Sequence, residues 1–283
     1  MSASASVSGS GSGSGSGSAS GSASEEGSRK ASVLRGLEHP DASVRVRAAL
    51  AAGSRPDAGY VVPLVERCRV EPDFSVRETL TWALTRHAAD ATVPPLLAEV
   101  RSDRPRARSQ ALHTLSKIGD RRAWPVITPA LLADSDVEVA RSAWRAAVVL
   151  VPEGEERALA VELTKRLGWG AHDTRLSLSR ALIALGEVML PLLTAAETDT
   201  DPEVRAHAGA TVRLWRDPDA GFASAVEEAK RVVALGGQAD GGGGSGGSDS
   251  GASGSDGSGS DGSGSGASGS GASGSGEGEA EGR

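Results

Sequence analysis

The amino-acid sequence predicts an all-α fold, a solenoid of about six helix pairs with a low-complexity tail at each end. Three observations carry that prediction. A phrase in which Asp precedes a Val-Arg pair returns through the middle of the chain at Val44-Arg45, Val76-Arg77, Ala107-Arg108, Val139-Ala140, Thr174-Arg175 and Val204-Arg205, the second members 32, 31, 32, 35 and 30 residues apart. A second phrase, centred on Pro63, Pro95, Pro125 and Pro191, keeps step about 14 residues ahead of it. Residues 1–28 and 237–283 are almost wholly Ser, Gly and Ala, the latter with scattered acids. Two markers in one period of about 30 residues are the signature of stacked supersecondary units, each too small to bury its own apolar face.

Taken in chain order, residues 1–28 form a tail expected to be disordered, because Ser and Gly carry too little apolar surface to offset the entropy of ordering. Residues 29–236 form the repeat domain. Within each repeat the proline phrase ("VVPLV", "VPPLL", "AWPVITPALL", "MLPLL") marks a first helix, with Pro expected near its start, where early amides lack intrahelical acceptors. The second helix opens at an Asp suited to cap it, at Asp41, Asp73, Asp103, Asp136, Asp173 and Asp201. Apolar residues then recur at helical spacing, as in Val76, Leu80, Ala83 and Leu84. In the fifth repeat "LGWGAHDTR" adds residues, which predicts a longer loop. A terminal helix over 222–235 follows, with Phe222, Val226 and Ala229 on one apolar face, and residues 237–283 form a second tail expected to be disordered.

The formal charge of −7 is unevenly spread. Residues 29–122 hold 17 basic and 11 acidic side chains, residues 123–236 hold 12 and 17, so the repeat domain is nearly neutral with a basic first half. One cysteine, Cys68, excludes an internal disulfide and fits a reducing compartment. The opening residues lack the charged and apolar regions of a secretory leader, and no apolar run approaches a membrane span, so a cytoplasmic protein without membrane contact is expected.

The Pro-Leu-Leu phrase, the capping Asp, the Val-Arg pair and the closing stretch "ALHTLSKIGD" (residues 111–120) resemble the HEAT-repeat family, and within it the short HEAT-like repeats of the phycobilisome-lyase type. The resemblance covers about 200 residues. It implies a right-handed stack of antiparallel helix pairs, with second helices lining a concave face that binds other macromolecules. It also implies that Arg45, Arg77, Arg108 and Arg205 form a ladder with acidic residues such as Glu71 or Asp199, a structural role.

If Val44 and its equivalents centre the buried stripe, residues two, six and nine places later point away from it. Glu78, Trp82, His113, Arg141, Arg145 and Arg180 fall at these positions and are the candidate partner-binding residues. Trp and Arg combine large contact area with directional polar groups, which suits them to binding hot spots. Alternatively Trp82 packs between repeats, as Trp144 is expected to do. The cluster Arg101, Arg104, Arg106, Arg108, Arg121 and Arg122 is a candidate anion or nucleic-acid patch, disfavoured by interleaved Asp103 and Asp120 and by the near-neutral domain.

Enzymatic relatives of the repeat set specific requirements. The iron-binding hydroxylases among them use His-Glu dyads, and none of His39, His87, His113, His172 and His207 is followed by Glu. No zinc spacing, nucleophile elbow or phosphate loop occurs in the repeat domain. Cys68 lies late in a first helix, where packing is the expected role. Trp82 beside Glu78 only faintly matches a HEAT-like DNA glycosylase, and nothing marks a bilin site. The reading is therefore a non-catalytic protein-binding scaffold or adaptor with no catalytic residue, metal or cofactor expected. Nucleic-acid binding and a lyase or chromophore chaperone are the alternatives.

Overall fold

The computed structural model of the chain describes residues 18–239, so the expectations for residues 1–17 and 240–283 lie outside the described residues. Within that range the regular elements are helices in consecutive pairs. The pairs are α1 (Ser18–Leu37) with α2 (Ala42–Ser54), α3 (Ala58–Val70) with α4 (Phe74–Thr85), and α5 (Ala89–Val100) with α6 (Pro105–Ile118). They continue with α7 (Pro129–Leu132) and α8 (Val137–Leu150), α9 (Glu156–Thr164) and α10 (His172–Ala184), and α11 (Leu190–Ala196) and α12 (Pro202–Arg216). A last helix, α13 (Phe222–Ala239), packs on α12. The second helices α2, α4, α6, α8, α10 and α12 each pack on the next, and one continuous core runs from Val33 to Val212. This is an α-solenoid, with leucines such as Leu64, Leu80, Leu112, Leu150, Leu163 and Leu182 filling the layer between first and second helices.

Asp41, Asp73, Asp136 and Asp201 cap the second helices as expected, their carboxylates accepting from backbone amides of the first turn. Asp103 and Asp173 do not. Arg104 occupies the cap position of α6, where Pro105 opens the helix and leaves one amide fewer to satisfy. In α10 the cap is Ala171, and Asp173 lies inside the first turn, near the positive end of the helix dipole. The prolines also depart from expectation. Among the prolines of the first-helix phrase, Pro129 and Pro191 sit at a helix start, whereas Pro63, Pro94 and Pro95 lie inside α3 and α5, at the loss of intrahelical hydrogen bonds. Pro125 falls in a 3-10 turn (Arg121–Val126) that, with the four-residue α7, stands in for the first helix of the fourth pair.

Helix α1 begins at Ser18, inside the segment assigned to the N-terminal tail. A helix nucleated by the buried Val33 and Leu37 propagates outward one residue at a time, and Ser24–Arg29 on it are exposed. Val76, Ala107, Val139 and Thr174 are buried in the first turns of their helices, but Val44 and Val204, in the first and last pairs with one neighbouring pair fewer, are only half-buried. The longer loop expected in the fifth pair is present over 165–171, where Gly168 and Gly170 adopt φ of 79° and 81°. In α13, Ala225 and Ala229 are buried and Val226 half-buried, while the side chain of Phe222 lies outside the described residues.

The arginine of the repeated phrase has a defined task. Arg45 is 5% exposed, and its Nη1 donates to the carbonyls of His39 and Pro40. Arg77 donates to those of Glu71 and Pro72, Arg108 to Ser102 and Asp103, and Arg205 to Asp199 and Thr200. The same carbonyls, five and six residues back, are taken each time, so the arginine fastens the loop between the two helices of its pair. Arg45 and Arg108 also reach a carboxylate in the next repeat, Glu71 at 2.7 and 2.8 Å and Asp134 at 3.0 and 3.2 Å. Burial opposes ionisation of Glu71, yet bonds from Arg45, the Asp73 amide and Arg67 hold its pKa below the ordinary carboxylate range.

Candidate functional site

The second helices bury one stripe in the core and turn another outward. Leu50, Trp82, Arg145 and Arg180, six places after the repeat centres, are exposed, and His113 in the same row is half-buried. Trp82 is 40% exposed because one edge of its ring rests on α2. A Cβ at Gly53 would lie 2.4 Å from its Cζ3. Trp82 thus both packs between repeats and presents a face to the row. Trp144 is fully buried, donates its indole N–H to the Leu132 carbonyl at 2.9 Å and meets Trp169 edge-on at 6.1 Å, which makes it inter-repeat packing as expected.

A cavity of about 380 Å³ opens between α4, α6 and α8. Glu78, Ser109, His113, Glu138 and Arg145 line it, and Phe74, 67% exposed, stands at its edge. His113 Nε2 lies 3.2 Å from Glu78 Oε1. Burial pushes the imidazole pKa below its ordinary value, Glu78 works against this, and Arg145 and Lys117 reinforce it. Glu138 pairs with Arg141 at 2.9 Å, and Asp136 is committed to capping α8. Arg141 also donates to Ser177 Oγ at 2.9 Å, tying α8 to α10. Arg145, in contrast, has no carboxylate within ion-pair distance among the described residues. Its partial burial first, and then neighbouring Arg141, lower its basicity.

Of the six sequence candidates, Glu78, His113 and Arg145 line one cavity, Trp82 and Arg180 continue the row on either side of it, and Arg141 is engaged in bonds to neighbours. Phe74 is not among the sequence candidates, because it precedes the repeat centre Val76 and so falls outside the positions two, six and nine places after it. The basic cluster disperses: Arg108 pairs with Asp134, Arg122 with Asp90 and Asp120, and Arg106 donates to the Glu71 carbonyl. Cys68 is buried, and that burial pushes its thiol up to about 12, which leaves it protonated and unreactive at neutral pH. Among the described residues no group of His, Cys, Asp and Glu is placed to hold a metal ion, and no helix is long and apolar enough to cross a membrane.

Hydroxyl groups knit the second helices together. Gln110 Nε2 donates to Thr81 Oγ1 and Thr114 Oγ1 to the Gln110 carbonyl, with the two threonine oxygens 3.2 Å apart. Three repeats later His207 Nε2 bonds Ser179 Oγ, Ser179 bonds Thr211, and Thr211 donates to the His207 carbonyl. The two circuits occupy equivalent positions, so His207 does the work of Gln110. It also accepts from the Gly168 amide at 3.0 Å, and burial lowers its pKa to about 4.

Comparison with known proteins places residues 61–148, from α3 into α8, in a match to the family described as HEAT repeats. No curated protein matches the chain.

Proposed function

We propose that the chain, an α-solenoid that matches HEAT repeats over residues 61–148, is a non-catalytic protein-binding scaffold or adaptor that holds its partner on the face made by α4, α6, α8 and α10. The observation that carries this reading is the row Trp82, His113, Arg145 and Arg180. The second helices of four successive pairs each present a large aromatic or cationic side chain at one position while burying their opposite stripe. Such a row supplies contact area and directional polar groups on a rigid scaffold, which a protein interface requires. Nucleic-acid binding through the Arg101–Arg122 cluster is less well supported, since Arg106, Arg108 and Arg122 are already bonded within the fold and, of that cluster, only Arg101, Arg104 and Arg121 remain as exposed cations without a side-chain partner among the described residues. The lyase or chaperone alternative rests on the sequence resemblance alone.

The test is affinity capture with the full chain as bait beside the double variant Trp82→Ala, Arg145→Glu, both checked for unchanged helical content. A polypeptide retained by the first and lost by the second supports the assignment. Equal recovery with both moves the interface elsewhere, and a retained species that is nucleic acid, with affinity falling steeply as salt rises, revives the alternative.

A further inference from the structure

Resting on that reading of the groove, we infer the chemistry of its partner: an amphipathic α-helix bearing acidic residues that meet Arg145 and Arg180. The last repeat shows how a helix sits on this row. Ala206 and Ala210, the residues two and six places after Val204, are buried against Ala225 and Ala229 of α13. They are the equivalents of Glu78 and Trp82, so the face left open along α4 to α10 is already covered by a helix on α12. Alanines allow α13 to approach closely. The open part carries large side chains instead, and its occupant must answer them chemically.

That answer is set by charge. Arg145 on α8, Arg180 on α10 and Arg213 on α12 have no carboxylate partner among the described residues, and Arg213 Nη1 is buried without any hydrogen bond. The acids near Arg145 are spent: Glu138 on Arg141, Asp136 on the α8 amides, Glu78 beside His113. Arg145 and Arg213 are partly buried cations without a counter-ion, a cost that a carboxylate from a ligand relieves, and exposed Arg180 offers that ligand a further cation. Trp82 and exposed Phe74 lie toward the other end of the row and offer apolar contact. Packed helices stand about 8–10 Å apart, which two turns of an α-helix span, so acids about seven residues apart reach Arg145 and Arg180 together, with a Leu or Phe toward Trp82.

The experiment is selection of a displayed random 16-residue peptide library on the immobilised full chain, counter-selected on the Trp82→Ala, Arg145→Glu variant. Enriched peptides are then synthesised and their affinities measured by fluorescence anisotropy. The expected outcome is an excess of Asp and Glu in helix-forming sequences, a loss of at least about tenfold in affinity for Arg145→Glu, Arg180→Glu, and abolition of binding by a central proline. Peptides that depend on Trp82 but show no acidic excess, ignore the charge reversal or tolerate the proline overturn this inference and leave the groove as a protein-binding site. If no peptide prefers the wild-type chain, both the groove assignment and this inference fail.

Discussion

His113 reports the electrostatics of the groove at a single titrating atom pair. Its pKa lies below 6.5 through burial, is held up by Glu78 and pressed down by Arg145 and Lys117. The signs follow directly. Glu78→Gln removes a stabiliser of the imidazolium and lowers the pKa further, and Arg145→Ala removes a repelling charge and raises it. Two-dimensional NMR of the histidine side chains across pH 4 to 8 reads both shifts, and a pKa that moves the same way in the two variants contradicts the arrangement. The candidate residues were legible in the sequence because a helical wheel needs only the repeat phase, and the Val-Arg pairs supplied it. Which of them is free was not legible. Arg141 and Arg145 are four residues apart on one helix, yet one reaches Ser177 and Glu138 while the other stays unpaired, a distinction that depends on the neighbouring helix.

Between elements, the two hydroxyl circuits make a sharper prediction. Gln110 and His207 bridge equivalent helix pairs, but only His207 titrates. Its folded pKa of about 4 lies below the value near 6.5 of an exposed histidine, so the unfolded chain binds the extra proton between those limits. The contribution is complete above pH 6.5 and is lost as pH falls toward 4, on the order of 3 kcal/mol in all. His207→Gln reproduces the residue found at the equivalent position and flattens this part of the curve. Urea unfolding at pH 7, 5.5 and 4.5 tests it, and parallel pH profiles for the two proteins would show that the circuit is not the source. Helix existence was legible from periodicity, as were four of the six caps. The caps at Asp103 and Asp173 failed because Pro105 and the glycine-rich 165–171 loop shift where the helices begin. No sequence rule pointed to the circuits, since Thr, Ser and Gln in a second helix look like ordinary surface residues until the next helix is set against them.

Across the whole molecule, stability is a chain of nearest-neighbour couplings. Glu71 is the most heavily used joint: its carboxylate takes Arg45, Arg67 and the Asp73 amide, and its carbonyl takes Arg77 and Arg106. Arg45→Ala leaves a buried carboxylate short of its main partner, at about 3 kcal/mol. Because coupling is local, hydrogen exchange is expected to quicken in α1 to α4 and to stay unchanged in α10 to α12. Uniform acceleration would mean that the solenoid unfolds as one unit. Five of the ion pairs between repeats share a direction, while Arg67–Glu38 and Arg122–Asp90 run the other way. In Lys30–Asp57, Arg45–Glu71, Arg69–Glu99, Arg108–Asp134 and Arg175–Glu203 the cation precedes its acid by 26 to 30 residues. During synthesis these five cations leave the ribosome with their acids still to be translated, so those contacts close one repeat behind the growing end.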